Sequence, residues 1–278
     1  MAHTPSRFAL IGAALIATQA TAQQTGGANP RGVPAEQEIV ARLARTMDSL
    51  VARGEFSGVV LLARRAAPVF EHAYGYADRE RKLPNTPETA FNLGSINKMF
   101  TATAVRQLVA AGKLSLDSTV ATYWPDYPNA RAAHQVTIRQ LMEHRGGLGG
   151  NIFGEPAHGS RHDIRHNRDF VQLFAAESLA FVPGTRQAYS NAGYVVLGNI
   201  VERASGEDYY DYVRKHIYEP AGLTHTAHYA IDSLPANVAI GYMSHNERGD
   251  PIATHPNSEL LPGRGSSAGG GYSTARDL

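Results

Sequence analysis

The order of the secondary-structure patterns constrains the fold of this chain more than any other feature of its sequence. Two short runs rich in β-branched and aromatic residues, FSGVVLLA at 56–63 and PVFEHAYGYA at 68–77, flank a turn-like stretch and predict an antiparallel hairpin. The patterns that follow are mostly helical, with none of the strand–helix alternation that builds a parallel sheet. We therefore expect an α+β fold.

Apolar residues recur at helical spacing before and after the predicted hairpin. A helix is predicted over 36–51, and a second over 95–111, where Gly112 would close it with a left-handed cap. The stretch 145–167 is rich in Gly and His and has little periodicity, so it is predicted to be a long surface loop. Further helices are predicted at 137–143, 168–178, 192–204 and 207–217.

The composition is that of an ordinary globular protein. Of the 278 residues, 43% are hydrophobic, which is enough for a sizeable core. The formal net charge of +1 provides no global field for nucleic acid or an anionic membrane. The absence of cysteine excludes disulfides, thiol catalysis and thiolate metal sites.

The first residues have the pattern of a secretory signal peptide. Arg7 precedes the apolar run FALIGAALIA, and small residues at 20–22 predict cleavage between Ala22 and Gln23. A membrane anchor needs about 20 apolar residues, and this run breaks after about ten. We expect a periplasmic or secreted protein without a stable membrane anchor. The predicted organisation is a signal peptide at 1–22, a flexible leader at 23–35 and one domain at 36–278.

A candidate nucleophile lies in the sequence FNLGSINKMF at 91–100. Ser95 falls in the first turn of a predicted helix, where its backbone N–H is left unpaired near the positive end of the helix dipole. Lys98 lies three residues later on the same face, and burial would lower its pKa so that it can take the serine proton. This S-x-x-K spacing also arises by chance, so it is weak evidence alone.

A second motif, Tyr-Ser-Asn at 189–191, supplies groups that complement this pair. A phenol has an ordinary pKa of about 10, so Tyr189 serves as a base near neutrality only where a cation stabilises its phenolate. Lys98 is a suitable cation if the two segments meet. Asn191 can accept a hydrogen bond from the lysine and donate one to a substrate amide.

GSINK, YSN, the stretch AYGYADRERKLPNTPETAFNLGS and the tail AGGGYSTARDL together resemble the serine β-lactamase and penicillin-binding-protein superfamily, in its class C-like branch, over about 55–278. The resemblance implies an antiparallel sheet flanked by helices, with a mostly helical inserted domain. It implies Ser95 as the acylated nucleophile, Lys98 as its proton partner and Tyr189 as general base and leaving-group acid. Asn191 would contact the substrate and the lysine.

The function that this resemblance implies is serine hydrolysis of an amide or ester bond through an acyl-enzyme. The substrate would be a β-lactam, a D-Ala-D-Ala peptide or an ester, and the reaction needs no cofactor. We expect a small-molecule or peptide substrate as the partner and no nucleic acid. The sequence leaves the oligomeric state open.

The third motif of the superfamily, Lys-Thr-Gly or His-x-Gly on a later strand, does not occur after Lys215. In the superfamily that strand gives the second oxyanion donor, and losing one such donor costs about 10²–10³-fold in rate. We therefore expect a C-terminally truncated chain that lacks the last strands of the sheet. The alternative function is a non-catalytic secreted binding protein of the same fold.

Two further motifs match the patterns of functional sites but are better explained as an ordinary turn and an ordinary loop. The sequence GSSAG at 265–269 satisfies the G-x-S-x-G pattern of α/β-hydrolases, but no histidine follows it, so a Gly/Ser turn is favoured. Three histidines have the spacing of a metal-binding helix face but lack a carboxylate companion, so a loop without metal is favoured. We interpret His144 as a structural turn residue without a catalytic role. The three spaced histidines are His158, His162 and His166.

Overall fold

The computed structural model of this chain describes residues 34–154, 156, 158–245 and 249–278. The predicted signal peptide and almost all of the predicted leader lie outside these residues. The chain divides into two compact units, 1–43 and 44–278, and the architecture below is that of the second. Among the described residues, no helix combines the length and the apolar character needed to cross a membrane.

Helices and short antiparallel strand pairs build the described part of the chain, which confirms the α+β prediction. The α-helices are α1 (Glu36–Ala52), α2 (Lys98–Ala110), α3 (Val120–Tyr123), α4 (Ala130–Gln135), α5 (Ile138–Met142), α6 (Asn191–Ser205), α7 (Tyr209–Val213) and α8 (Glu219–Ala221). The strands are β1 (Gly58–Arg64), β2 (Ala67–Tyr74), β3 (Tyr76–Asp78), β4 (Leu83–Pro84), β5 (Phe91–Asn92), β6 (Tyr242–His245), β7 (Pro251–Pro256) and β8 (Tyr272–Ser273). Short 3₁₀ helices lie at Gly94–Asn97, Arg161–Asp163, Asn167–Leu173, Ile231–Ser233 and Ser258–Leu260, and a π-helical turn at Arg214–Tyr218.

The predicted hairpin is formed by β1 and β2. The two strands pair antiparallel from Gly58 opposite Tyr74 to the closing pair at the turn. Arg65 and Ala66 connect them with φ angles of +50° and +63°. Two consecutive positive φ angles give the backbone twist that a two-residue hairpin turn requires. The hairpin prediction is therefore confirmed.

A second pairing positions the candidate site. Strands β5 and β8 pair antiparallel, with Phe91 opposite Ser273, and the N–H of Leu93 donates to Gly271 O at 2.8 Å. The glycine-rich tail of the chain is thereby bonded to the strand that leads directly into Ser95. Residues about 180 positions apart in the sequence become neighbours.

Helix α6 lies at the centre of the hydrophobic core. Its residues from Ala192 to Val201 are all buried, so the helix is enclosed on every side rather than on one face. Helix α2 packs against it. A Cβ atom added at Gly198 would lie 2.3 Å from Ser267 Oγ, so the helix needs a glycine at this contact.

Several predicted helices have the expected bounds. The helix predicted over 36–51 is α1, and the one over 95–111 is the 3₁₀ turn together with α2. The helices predicted over 137–143 and 192–204 are α5 and α6. Gly112 has φ +70°, as a left-handed cap requires. Helices α3 and α4 were not predicted, because segments of four to six residues are too short to show a helical period.

Three predictions were wrong in detail. The segment 168–178 forms a 3₁₀ helix that ends at Leu173, and 207–217 changes from α-helix to a π-helical turn at Arg214. The predicted surface loop 145–167 contributes buried apolar side chains, including Ile152 and Ile164, to the core. These side chains have no regular spacing, so periodicity does not reveal their burial.

We predict that Gly265→Ala destabilises the protein. The added Cβ would lie 2.4 Å from Gly270 O and 2.5 Å from its carbonyl carbon, and backbone atoms cannot turn aside as a side chain does. Overpacking of this kind typically costs about 1–3 kcal/mol, which urea unfolding measures as a lower free energy of unfolding. Gly149→Ala is the matched control, since its Cβ would meet Glu177 Oε2 at an ordinary 3.5 Å. Equal stabilities of the two variants would contradict this account.

Candidate active site

Ser95 lies in the 3₁₀ turn Gly94–Asn97, which leads into α2. The chain enters this turn through Gly94, whose φ is +49° and whose N–H donates to Asn92 Oδ1 at 2.9 Å. Ser95 itself is exposed, and its backbone N–H has no acceptor among the described residues. The turn therefore presents both the Ser95 hydroxyl and a free N–H donor at the start of a helix, where the dipole favours negative charge.

Lys98 is the cation of the site, and only 7% of it is exposed. Its Nζ donates to Ser95 Oγ at 3.1 Å, to Asn191 Oδ1 at 2.7 Å and to Ala268 O at 2.5 Å. An ammonium has three protons, so these three acceptors satisfy it completely. Burial lowers the pKa of Lys98, and the neighbouring Tyr189 phenol opposes that shift without cancelling it.

Tyr189 reaches the same hydroxyl from the opposite side. Its phenol oxygen lies 2.5 Å from Ser95 Oγ, and Lys98 Nζ lies 4.7 Å from the centre of its ring. Partial burial acts to raise the pKa of Tyr189, but the polar interactions with Lys98 and Ser95, together with the lysine charge, outweigh burial and lower it. The phenol therefore loses its proton more readily than an isolated tyrosine does.

The Tyr-Ser-Asn motif lies at the start of α6, which determines where its three side chains lie. Ser190 is the N-cap, and its Oγ accepts the N–H of Gly193 at 2.9 Å. Tyr189 consequently lies just outside the helix, while Asn191 lies in its first turn and lines the pocket beside Ser95. The structure thus brings together all four residues singled out in the sequence, Ser95, Lys98, Tyr189 and Asn191.

The carbonyl of Ala268 is a part of the site that the sequence motifs did not reveal. The available signal was the glycine-rich tail, because a Cβ at Gly269 would lie 2.9 Å from Gly94 O. Glycine allows the tail to approach the Ser95 turn closely enough for Ala268 O to reach Lys98. The G-x-S-x-G serine, Ser267, is fully buried and bonded to Asn167, so it is not presented as an exposed nucleophile.

His144 contacts the segment that carries Tyr189 in three ways. Its Nδ1 accepts the N–H of Ser190 at 3.1 Å, and its carbonyl accepts the N–H of Ala188 at 2.9 Å. Its ring lies 4.6 Å from the ring of Tyr189. Burial and the charge of Lys98 lower the pKa of His144, which favours the neutral ring that this acceptor role needs. The turn at His144, with φ +57°, therefore also holds Tyr189 in position.

The three spaced histidines do not share a helix face. His162 lies in the 3₁₀ helix Arg161–Asp163, and His166 precedes the next 3₁₀ helix. Within the part of the chain that the structure describes, no group of three His, Asp or Glu side chains is arranged to hold a metal ion.

The sequence of this chain is similar to a known protein family and to individual proteins. The sequence matches the family model described as Beta-lactamase over residues 43–278. It is 33% identical over 206 residues to penicillin-binding protein 4* of Bacillus subtilis (strain 168), covering 72% of this chain and 45% of that protein. It is 30% identical over 238 residues to the esterase EstB of Burkholderia gladioli, covering 80% of this chain and 59% of that protein.

The fold is similar to that of the solved D-amino acid amidase from Ochrobactrum anthropi SV3. The TM-score is 0.71 at 29% sequence identity, and the match covers 83% of this chain and 66% of that chain. The chain spans about half the length of the curated relatives that it matches.

We predict that Lys98→Met raises the pKa of Tyr189. Removing the ammonium removes the polar interaction and the charge that lower this pKa, while the burial that raises it remains. The measurement is a ¹³C NMR titration of protein labelled at tyrosine Cζ, with the Tyr189 signal assigned from Tyr189→Phe. Lys113→Met removes an exposed lysine and serves as the control. An unchanged Tyr189 titration in Lys98→Met would show that the ammonium does not stabilise the phenolate.

Proposed function

This chain belongs to the β-lactamase family, and we propose that it hydrolyses amide or ester bonds through an acyl-enzyme formed on Ser95. One observation carries the proposal: Ser95 Oγ lies within hydrogen-bond distance of both Lys98 Nζ and Tyr189 OH. A serine hydroxyl is a weak nucleophile until a base takes its proton, and here two groups with lowered pKa values contact it.

In the proposed acylation step, Ser95 Oγ attacks the substrate carbonyl carbon as its proton passes to the Tyr189 oxygen. The ammonium of Lys98 stabilises the phenolate before transfer. The Ser95 N–H donates to the oxyanion of the tetrahedral intermediate. When the intermediate collapses, the bond to the leaving group breaks, and Tyr189 returns the proton to the departing nitrogen or oxygen.

In the proposed deacylation step, a water molecule attacks the ester carbonyl carbon on Ser95. Tyr189 takes one proton from the water, and the bond between Oγ and the acyl carbon breaks. The proton then passes to Ser95 Oγ, which restores the free enzyme and releases a carboxylic acid. Asn191 holds Lys98 through Oδ1 throughout, and its NH₂ group is available to a substrate carbonyl.

The substrate class is a β-lactam, a D-Ala-D-Ala peptide or an ester, all of which can form the same acyl-enzyme. The relatives described above are a penicillin-binding protein, an esterase and an amidase, which supports an acyl-transfer reaction without choosing among these substrates. The pattern in the first 22 residues supports export of the protein to the periplasm or the medium.

We predict that Ser95→Ala abolishes turnover of nitrocefin, a D-Ala-D-Ala peptide and p-nitrophenyl esters, because it removes the nucleophile. Whichever substrate the wild-type protein hydrolyses should leave a transient acyl group on Ser95, detectable by rapid quench and mass spectrometry. Ser115→Ala, at an exposed serine in another segment, is the control and should retain activity. A protein that binds these compounds equally well with and without Ser95, and hydrolyses none, would be the non-catalytic binding protein. Labelling at Ser267 instead would contradict the assignment of the nucleophile.

We also predict that kcat/KM rises with pH and then reaches a plateau. The active form has the phenolate, so the rate rises with pH and levels off above the apparent pKa of the Lys98–Tyr189 pair, which lies below the ordinary value of about 10. In Lys98→Met the rise in kcat/KM should occur at higher pH, because the phenolate loses the cation that stabilises it. A profile that falls with rising pH over this range would exclude Tyr189 as the general base.

A further inference from the structure

A pocket opens directly beside Ser95 and extends away from the Lys98 cluster. The empty space between its walls, including the open solvent at its mouth, is about 640 Å³. Ser95 and Asn191 form part of its wall, and most of the remainder is apolar. Its apolar side chains include Ile152, Phe153, Phe170, Ile231 and Leu261. Such a wall suits the hydrocarbon part of a substrate.

Arg161 is the only charged residue among the described residues that line this pocket. Only 5% of it is exposed. Its Nε donates to Leu260 O at 3.0 Å and its Nη1 to Gly154 O at 2.6 Å, and these two carbonyls hold the guanidinium in place. The remaining nitrogen, Nη2, is enclosed and has no hydrogen-bond partner in the described structure.

No carboxylate of the described residues lies within ion-pair distance of this guanidinium, although several other arginines have one. A buried charge without a counter-ion and a buried donor without an acceptor are both unfavourable, so such groups call for an explanation. An anion that enters the pocket is attracted by this charge, and the apolar wall weakens the attraction much less than water does. Nη2 is the nitrogen of this guanidinium that is left without an acceptor among the described residues.

We propose that Arg161 selects substrates whose acyl group carries a carboxylate at the far end of an apolar spacer. The spacer lies along the apolar wall, the carboxylate is held by the guanidinium charge, and the acyl carbon is at Ser95. This proposal rests on the proposed serine hydrolase function. It assigns Arg161 to substrate recognition, distinct from the chemistry at Ser95, Lys98 and Tyr189.

The test compares two p-nitrophenyl esters with acyl chains of the same length, the neutral hexanoate and the mono-ester of adipic acid, which ends in a carboxylate. In the wild-type protein we expect the higher kcat/KM for the adipate ester. Arg161→Gln should lower the ratio of the two kcat/KM values by about 10-fold or more, the size of a charge-assisted hydrogen bond, while hexanoate turnover is largely kept. Arg161→Lys retains the charge and should retain part of the preference.

Arg165→Gln is the matched control. It removes a positive charge four residues away, at a partly exposed arginine that is paired with Asp232 and does not line the pocket, so the ratio should stay at the wild-type value. An unchanged ratio in Arg161→Gln would show that Arg161 only fastens Gly154 to Leu260 and would overturn the proposal. A higher kcat/KM of the wild-type protein for the hexanoate ester than for the adipate ester at low salt would also overturn the proposal. This measurement needs no variant, so it remains a test even if Arg161→Gln does not fold. Absence of turnover and of Ser95 acylation with either ester, and with nitrocefin and the D-Ala-D-Ala peptide as well, would instead refute the proposed hydrolase function.

Discussion

The buried ammonium of Lys98 is the interaction on which the rest of this structure depends. Removing an ammonium from water costs several kcal/mol unless acceptors replace the lost hydration. Here the acceptors are Ser95 Oγ, Asn191 Oδ1 and Ala268 O, which come from three separate segments of the chain. Each segment must reach the same point, so the ammonium fixes the Ser95 turn, the start of α6 and the glycine-rich tail relative to one another.

A second layer of hydrogen bonds holds the tail in the position that this contact needs. Thr101, one turn along α2 from Lys98, donates to Ser267 O at 2.7 Å and shares a hydrogen bond with Tyr209. Asn167 Oδ1 accepts the backbone N–H of Ser267 at 2.9 Å. Because Ser267 is bonded from two sides, the adjacent Ala268 carbonyl has little freedom to move away from the lysine. The polar groups buried below the site thus stabilise its geometry.

The residues proposed to carry out the reaction and those proposed to bind the substrate lie in different parts of the site. In the proposed reaction, protons are transferred only within the cluster around Lys98, where every group is within hydrogen-bond distance of Ser95 or of the lysine. In the proposed reaction, recognition takes place in the pocket, whose wall is formed in part by 145–167 and by the stretch that precedes the glycine-rich tail. That arrangement is consistent with the similarity of this chain both to an esterase and to an amidase.

The sequence by itself determined the elements that depend on near neighbours. Ser95 and Lys98 share a face because residues three apart do so in any helix, and Ser190 caps α6 because its hydroxyl reaches an N–H three residues later. The hairpin and the longer helices followed from periodicity for the same reason. Only the tertiary structure decided that Tyr189 contacts Ser95, that the Ala268 carbonyl completes the lysine site and that Arg161 lines the pocket. These contacts join residues far apart in the chain, or use a backbone carbonyl that every residue has, so no local pattern of residue types can specify them.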